Sequence, residues 1–301
     1  MSWDFKLICG PLGGITEGPA WDGSGLLFTH IDASRIFRYD PSINFVDAFR
    51  ENTNCANGLM FDKDGILYAC EGDARRVVRY TEQKTTILVD SFEGELLNIP
   101  NDLAIDEKGN IWFTDPFYPG AAGSWSEDED NQVLSHDSIY RLDQNDKDQW
   151  SISRMTFDTT KPNGLLFSLD YNVLYVAQSA RKLSDPRELR GYPVKSDGTL
   201  GDYVVLHDFG KFRGVDGMCL DIDGNIIATA GDADDGGPGS MIYIFAPDGT
   251  ILEQHPVPAK APTNCTFGGD DLKTLYVTTK QGHLFSVETN RKGRLLFPNY
   301  I

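Results

Sequence analysis

The chain has no run of 18 apolar residues, so no membrane-spanning helix is expected. Cationic side chains are scarce: 27 Lys and Arg stand against 45 Asp and Glu, a formal net charge of -18. A chain this acidic is repelled by phosphate backbones and anionic lipid, which excludes nucleic acid and membrane surfaces as partners. Cysteine is sparse as well. Cys9, Cys55, Cys70, Cys219 and Cys265 are scattered without CxxC spacing, as expected of reduced, mostly buried thiols in a cytoplasmic protein. The stretch Met1–Gly14 lacks a basic segment followed by an apolar one, so no secretory signal is expected. GxSxG, GxGxxG and the P-loop are missing, and with them the usual signs of serine hydrolases, dinucleotide enzymes and NTPases. Sustained helical periodicity is also absent.

What is present is a repeat. A carboxylate or amide residue, usually followed by Gly, leads into a short apolar strand, a turn of Asp, Gly or Asn, and a second apolar strand. The clearest copies are NGLMFDKDGILYACEG from Asn57, NDLAIDEKGNIWFTDP from Asn101, NGLLFSLDYNVLYVAQS from Asn163 and DGMCLDIDGNIIATAG from Asp216. EGPAWDGSGLLFTH from Glu17 and NCTFGGDDLKTLYVTT from Asn264 complete six copies. The copies are spaced roughly 40–60 residues apart, which suits four-stranded blades. Third strands follow in five copies (RIFRYD, RVVRY, SIYRLD, MIYIF, HLFSV), and FVDAF, TILVD, WSISRM, YVVLH and ILEQH supply fourth strands. The sixth copy has no fourth strand of its own; FKLIC at Phe5–Cys9 can supply it and hide the open edges. The expectation is an all-β, six-bladed β-propeller, a single domain over residues 1–301, closed by the N-terminal strand. A generic β-sandwich does not explain six copies in one internal order.

In a propeller the first strand of each blade lines the central channel. Glu17, Asn57, Asn101, Asn163, Asp216 and Asn264 should therefore converge at one mouth. Two carboxylates buried together are costly unless offset, and amides add carbonyl oxygens. Such an oxygen set suits one hard divalent cation: Ca²⁺ is the expected ion, with Mg²⁺, Mn²⁺ and Zn²⁺ as alternatives. Taken singly, each residue could instead cap a turn. The second strands end at the same mouth, with His30, Glu71, Asp115, Gln178, Asp232 and Thr279 as an outer polar ring. Long connections at 116–137, 179–192 and 231–240 should overhang it as mobile loops, the first carrying Phe117, Tyr118 and Trp125, the second Arg181, Lys182, Arg187 and Arg190. The acidic run Glu127–Asp130 reads as a solvated loop face. A polar wall over a metal floor describes a small-molecule pocket, with Asn57, Asn101, Glu71, Gln178 and Tyr118 as substrate contacts.

At these residues the sequence resembles the senescence-marker-protein/gluconolactonase/luciferin-regenerating-enzyme-like family, and its microbial gluconolactonase-like branch in particular. EGPAWD (Glu17–Asp22), LNIPNDLAIDEKGNIWFTDPFY (Leu97–Tyr118), KPNGLLFSLDYNVLYVA (Lys161–Ala177), VDGMCLDIDGN (Val215–Asn225) and PTNCTFGGDDLKTLYVTT (Pro262–Thr279) carry the resemblance. It implies a six-bladed propeller with one catalytic divalent ion, ligated by Glu17, Asn163 and Asp216. Asn101 would be a fourth ligand or a substrate contact, and Asp115 would lie in the pocket. Gln178 and His30 stand where related sequences often have Asp, and Val215 where they have Pro.

The expected reaction is hydrolysis of a small lactone, with the cation polarising the carbonyl and water attacking. Asp216 is the first candidate for general base, with His30 and Asp115 behind it. A phosphotriesterase-type hydrolase on the same site and a non-catalytic binding propeller are the alternatives. A strictosidine-synthase-like condensation is disfavoured by the full ligand set. Nothing in the sequence reports oligomeric state.

Overall fold

A computed structural model describes residues 3–82, 84–145 and 149–298; the outermost residues of the expected 1–301 domain lie outside the described ones. Six antiparallel sheets are arranged as blades around a central channel. The first blade shows the pattern: Thr16–Trp21, Leu26–His30, Arg35–Asp40 and Phe45–Glu51, pairing in sequence order from the channel outward. Buried apolar residues alternate along these strands and pack between adjacent blades, as Leu27, Ile36, Leu59 and Val78 do between the first two.

The turn joining the two inner strands is built the same way in blade after blade. Asp22, Asp62, Asp106, Asp221 and Asp271 each turn a carboxylate oxygen back to accept from the N–H two residues on. This is the short-range bond that makes Asp a turn residue.

The leading residues owe their orientation to irregularity. The inner strand slips register between Glu17 and Ala20, Ala56 and Leu59, Pro162 and Leu165, Val215 and Met218, and Pro262 and Cys265. In each of these five blades the leading residue sits at or inside the bulge, a device that re-aims a side chain while the rest of the strand keeps its pairing; the third blade, led by Asn101, pairs without a slip. Buried threonines satisfy the disturbed backbone: Thr29 Oγ1 donates to the Asn57 carbonyl at 3.0 Å and Thr229 Oγ1 to that of Thr263 at 2.8 Å. The following glycines let neighbouring inner strands touch. A Cβ on Gly18 would lie 2.1 Å from the Asn57 carbonyl oxygen, and one on Gly164 2.4 Å from that of Asp216.

The ring closes as expected: Lys6–Cys9 pairs with Leu284–Glu288, matching Lys6 to Ser286 and Leu7 to Phe285. The fourth blade differs from expectation. Its third strand is Arg187–Pro193, inside the stretch read as a mobile loop. Its charges hid it, and two of them pair: Arg190 Nε bonds Glu188 at 2.6 Å while its guanidinium lies over the Tyr203 ring. The chain end also does more than trail away. Gly293–Arg294 adds to the inner strand of the fifth blade, and Leu295–Phe297 continues across the opposite mouth, where Phe297 meets Phe61 with ring centroids 5.6 Å apart.

Candidate active site at the polar mouth of the channel

Glu17, Asn57, Asn101, Asn163 and Asp216 line one pocket of about 360 Å³ at the channel mouth. Asn163 Nδ2 donates to Asp216 Oδ1 at 2.5 Å, which leaves the Asn163 carbonyl oxygen for another partner. Glu17 Oε2 accepts from the Gly18 N–H at 2.7 Å and from Asn264 Nδ2 at 3.0 Å. Asn57 Oδ1 is buried without a hydrogen-bond partner among the described residues, an acceptor waiting for a donor or cation. Asn264, the sixth leading residue, lies beneath the floor and bridges Glu17 to Asp102, 3.4 Å from the latter.

Asp102 was missed by sequence reasoning, although the signal was there. The position after the leading residue is Gly in four blades and Asp only in the third. Burial pushes Asp102 up from the usual aspartate range to about 7, helped by the charge of Asp216. Burial likewise holds Glu17 well above the usual glutamate range, with the charges of Asp216 and Asp102 adding to it. Asp216 is raised by burial, against the opposing pull of Arg213, Arg181 and Lys280. The floor thus gathers carboxylate charge that the surrounding protein only partly offsets. Among the described residues no three His, Cys, Asp or Glu side chains form a metal-holding group by themselves. The oxygen set here is mixed: two carboxylates and three amides around one space. With an unpartnered carbonyl oxygen and under-compensated acid, that set fits a hard cation.

Arg213 is a second feature unseen in the sequence. Its Nη2 donates to Asp216 Oδ2, and its Nη1 to the carbonyls of Gly231 and Pro262, both at 3.0 Å. It takes one face of Asp216 and anchors it between the fifth and sixth blades.

Tyr118 lines the pocket and is held there, its hydroxyl donating to the Ser179 carbonyl at 3.0 Å. Its loop is pinned by Asp137, which accepts from the Phe117 N–H at 2.7 Å and from Lys161 Nζ. Phe117 and Tyr118 are buried, so this segment is a fixed wall rather than the mobile one expected. The run Glu127–Asp130 is solvated, as expected.

Four expected site residues do not reach the pocket lining. His30 Nε2 bonds the Gly13 carbonyl, and its Nδ1 accepts from the Ala33 N–H at 3.1 Å. Glu71 is enclosed by Arg76 and the Tyr80 hydroxyl, both at 2.6 Å, and Asn54 at 3.0 Å. Gln178 is fully buried and accepts from the Lys161 N–H at 3.3 Å. Asp115 accepts from the Asn98 N–H at 2.8 Å behind the Phe117 wall. One feature is common to all four. The second strand lies one strand further from the axis, and the segment entering the inner strand bonds its last side chain, through Gly13, Asn54, Asn98 and Lys161 respectively.

Arg187 and Arg190, expected on a mobile loop, are buried in a strand. Arg190 faces away from the pocket, while Arg187 lines it.

A family model described as SMP-30/gluconolactonase/LRE-like region matches residues 15–281. A gluconolactonase from Zymomonas mobilis is 29% identical over 290 residues, covering 87% of this chain and 75% of that protein. A pentonolactonase from Haloferax volcanii is 26% identical, covering 88% and 81%. The solved structure of a gluconolactonase from Xanthomonas campestris superposes with a TM-score of 0.78 at 27% identity, covering 95% of this chain and 89% of that one.

Proposed function

Since the chain belongs to the SMP-30/gluconolactonase/LRE-like family, we propose that it is a hydrolase that opens the ring of a small lactone with water. The curated relatives named gluconolactonase and pentonolactonase support that substrate class. The observation that carries the reading is the convergence of Glu17, Asn57, Asn101, Asn163 and Asp216 on one pocket. Glu17, Asn163 and Asp216 would hold a divalent cation, Ca²⁺ foremost, with Asn101 as a fourth ligand or a substrate contact. Bound there, the ion supplies Lewis-acid polarisation of the lactone carbonyl.

The chain's own groups do the rest. Asn163 and Arg213 hold Asp216 from two sides and fix its orientation. Asp216 accepts a proton as water adds to the carbonyl carbon, and returns it to the ring oxygen as the C–O bond breaks. The product is an open-chain hydroxy acid, and Asp216 ends as it began. Asn57 and Asn101 present amides to the substrate's hydroxyl groups, and Tyr118 closes the pocket on one side. His30 and Asp115, which do not reach the pocket lining, take no part in this scheme.

The test is proton release from a panel of 1,4- and 1,5-lactones, with and without chelator, with simple organophosphate esters as the competing substrates. Lactone turnover lost on chelation and regained with Ca²⁺ is expected. Turnover that survives full chelation, or that is confined to organophosphates, overturns the reading.

A further inference from the structure

The chain carries 45 acidic residues against 27 Lys and Arg, yet the pocket wall has the opposite sign. Arg181, Arg187, Lys211, Arg213 and Lys280 line it, and among the described residues its only carboxylates are Glu17 and Asp216 on the floor. Arg213 is committed to Asp216. The other four make no ion pair with a carboxylate among the described residues. Arg187 is 5% exposed, and its guanidinium donates only to the carbonyls of Gly210 at 3.3 Å and Arg181 at 3.0 Å. A buried cation without a carboxylate is costly unless something else compensates it. The Arg181 guanidinium rests over the Tyr118 ring, 4.8 Å from its centroid, and donates to the Pro119 carbonyl at 3.3 Å. It is thereby held at the wall rather than waving in solvent. Lys211 and Lys280 are exposed. The acids of the neighbouring 231–240 loop have other partners: Asp234 holds Lys260, Asp235 accepts from the Arg213 N–H at 2.9 Å, and Asp232 accepts from the Asp234 N–H at 3.1 Å.

Unpaired cations ringing a concave site, on a protein that otherwise repels anions, concentrate anions at that one place. Resting on the lactone-hydrolase reading above, we propose that the physiological substrate is an anionic lactone. Its carbonyl end meets the carboxylate and amide floor, while a carboxylate, phosphate or sulfonate at its far end is received by Arg181, Lys211 and Lys280. Arg187 stiffens that wall from behind by holding the Arg181 carbonyl. This division explains why cations are placed above acids instead of neutralising them directly, as Arg213 does.

The experiment compares 6-phosphoglucono-1,5-lactone with glucono-1,5-lactone as the ratio of their kcat/KM values. The wild type should favour the phosphorylated substrate by about tenfold or more at low salt, and the preference should shrink as ionic strength rises. The double variant Arg181→Gln, Lys280→Gln should lower that ratio by about tenfold, with Lys211→Gln producing a smaller drop. A wild-type ratio of one or less, or a ratio indifferent to salt and to these substitutions, overturns the proposal. If neither lactone is hydrolysed, the lactonase reading fails by itself, and calorimetry with 6-phosphogluconate and gluconate still decides the wall. Binding of the phosphorylated acid at least about tenfold tighter, lost in the double variant, supports it. Equal affinity for the two acids overturns it.

Discussion

The two mouths of the channel are built from the same six inner strands and have opposite characters. The upper one holds a polar pocket of about 360 Å³ with acids and amides on its floor and cations on its wall. The lower one holds a cavity of about 170 Å³ walled by Trp21, Leu59, Phe61, Phe167 and Leu220 and flanked by Leu295, Leu296 and Phe297. The contrast comes from a change within each strand. A polar leading residue opens it, set in a bulge in five of the six, and regular apolar pairing follows. The tail lays apolar side chains across the lower mouth, where the upper one presents acids, amides and cations. The tail therefore serves the fold, and the leading residues serve the site.

Substitutions on the two sides should separate accordingly. The largest effect is expected at the upper floor: Asp216→Asn should lower kcat/KM for lactone by about 10³-fold, since it removes a proton acceptor and a charged oxygen together. Circular dichroism of the same variant should show an intact propeller. Next comes the seam where the inner strands touch. Gly164→Ala puts a Cβ 2.4 Å from the Asp216 carbonyl oxygen, and denaturant titration should report a loss of about 2–3 kcal/mol.

Asp102 lies between the two mouths and sharpens the comparison through pH. Its folded pKa, about 7, stands above the ordinary 3.8. The native state therefore binds the proton more tightly than the unfolded chain does. Stability contributed by that proton is full below about pH 4 and is lost as pH rises toward 7. In cation-free protein, Asp102→Asn should accordingly show no gain in Tm over wild type near pH 4 and a growing gain up to pH 7. A gain independent of pH would break the link to Asp102. The smallest effect is expected below: Phe297→Ala trims a half-buried ring from the plug and should cost about 1 kcal/mol while leaving lactone kcat/KM within about twofold of wild type.

Much of the architecture was legible because it is repeated. Each blade restates the same order of polar lead, apolar strand, Asp turn and apolar strand, and the missing last strand pointed to Phe5–Cys9. The exception is instructive. Arg187–Pro193 contains two arginines, a glutamate and a glycine, so its hydrophobic signal is weak. Its place in the fourth blade depends on partners in other elements, including Asp158, whose carbonyl accepts from Arg190 at 3.0 Å.

The site divides along similar lines. Glu17, Asn57, Asn101, Asn163 and Asp216 could be picked out because a shared position in a repeat becomes a shared position around an axis. His30, Glu71, Asp115 and Gln178 also share a position, but whether a strand end faces ligand or protein depends on the loops that fold over it. Those loops do not repeat.

Local chemistry along the chain was thus enough to specify six blades, their closure and the polar ring at the channel, since turns, alternation and periodic leads act over a few residues. Only the folded molecule decided that Asp102 joins the floor and that Arg213 clasps Asp216. The same holds for the unpaired cations gathered over the acids and for the tail that crosses the lower mouth. Arg213 and Asp216 are only three residues apart, and Asp102 departs from the Gly of four other blades, yet which groups they meet depends on elements brought together from distant parts of the chain.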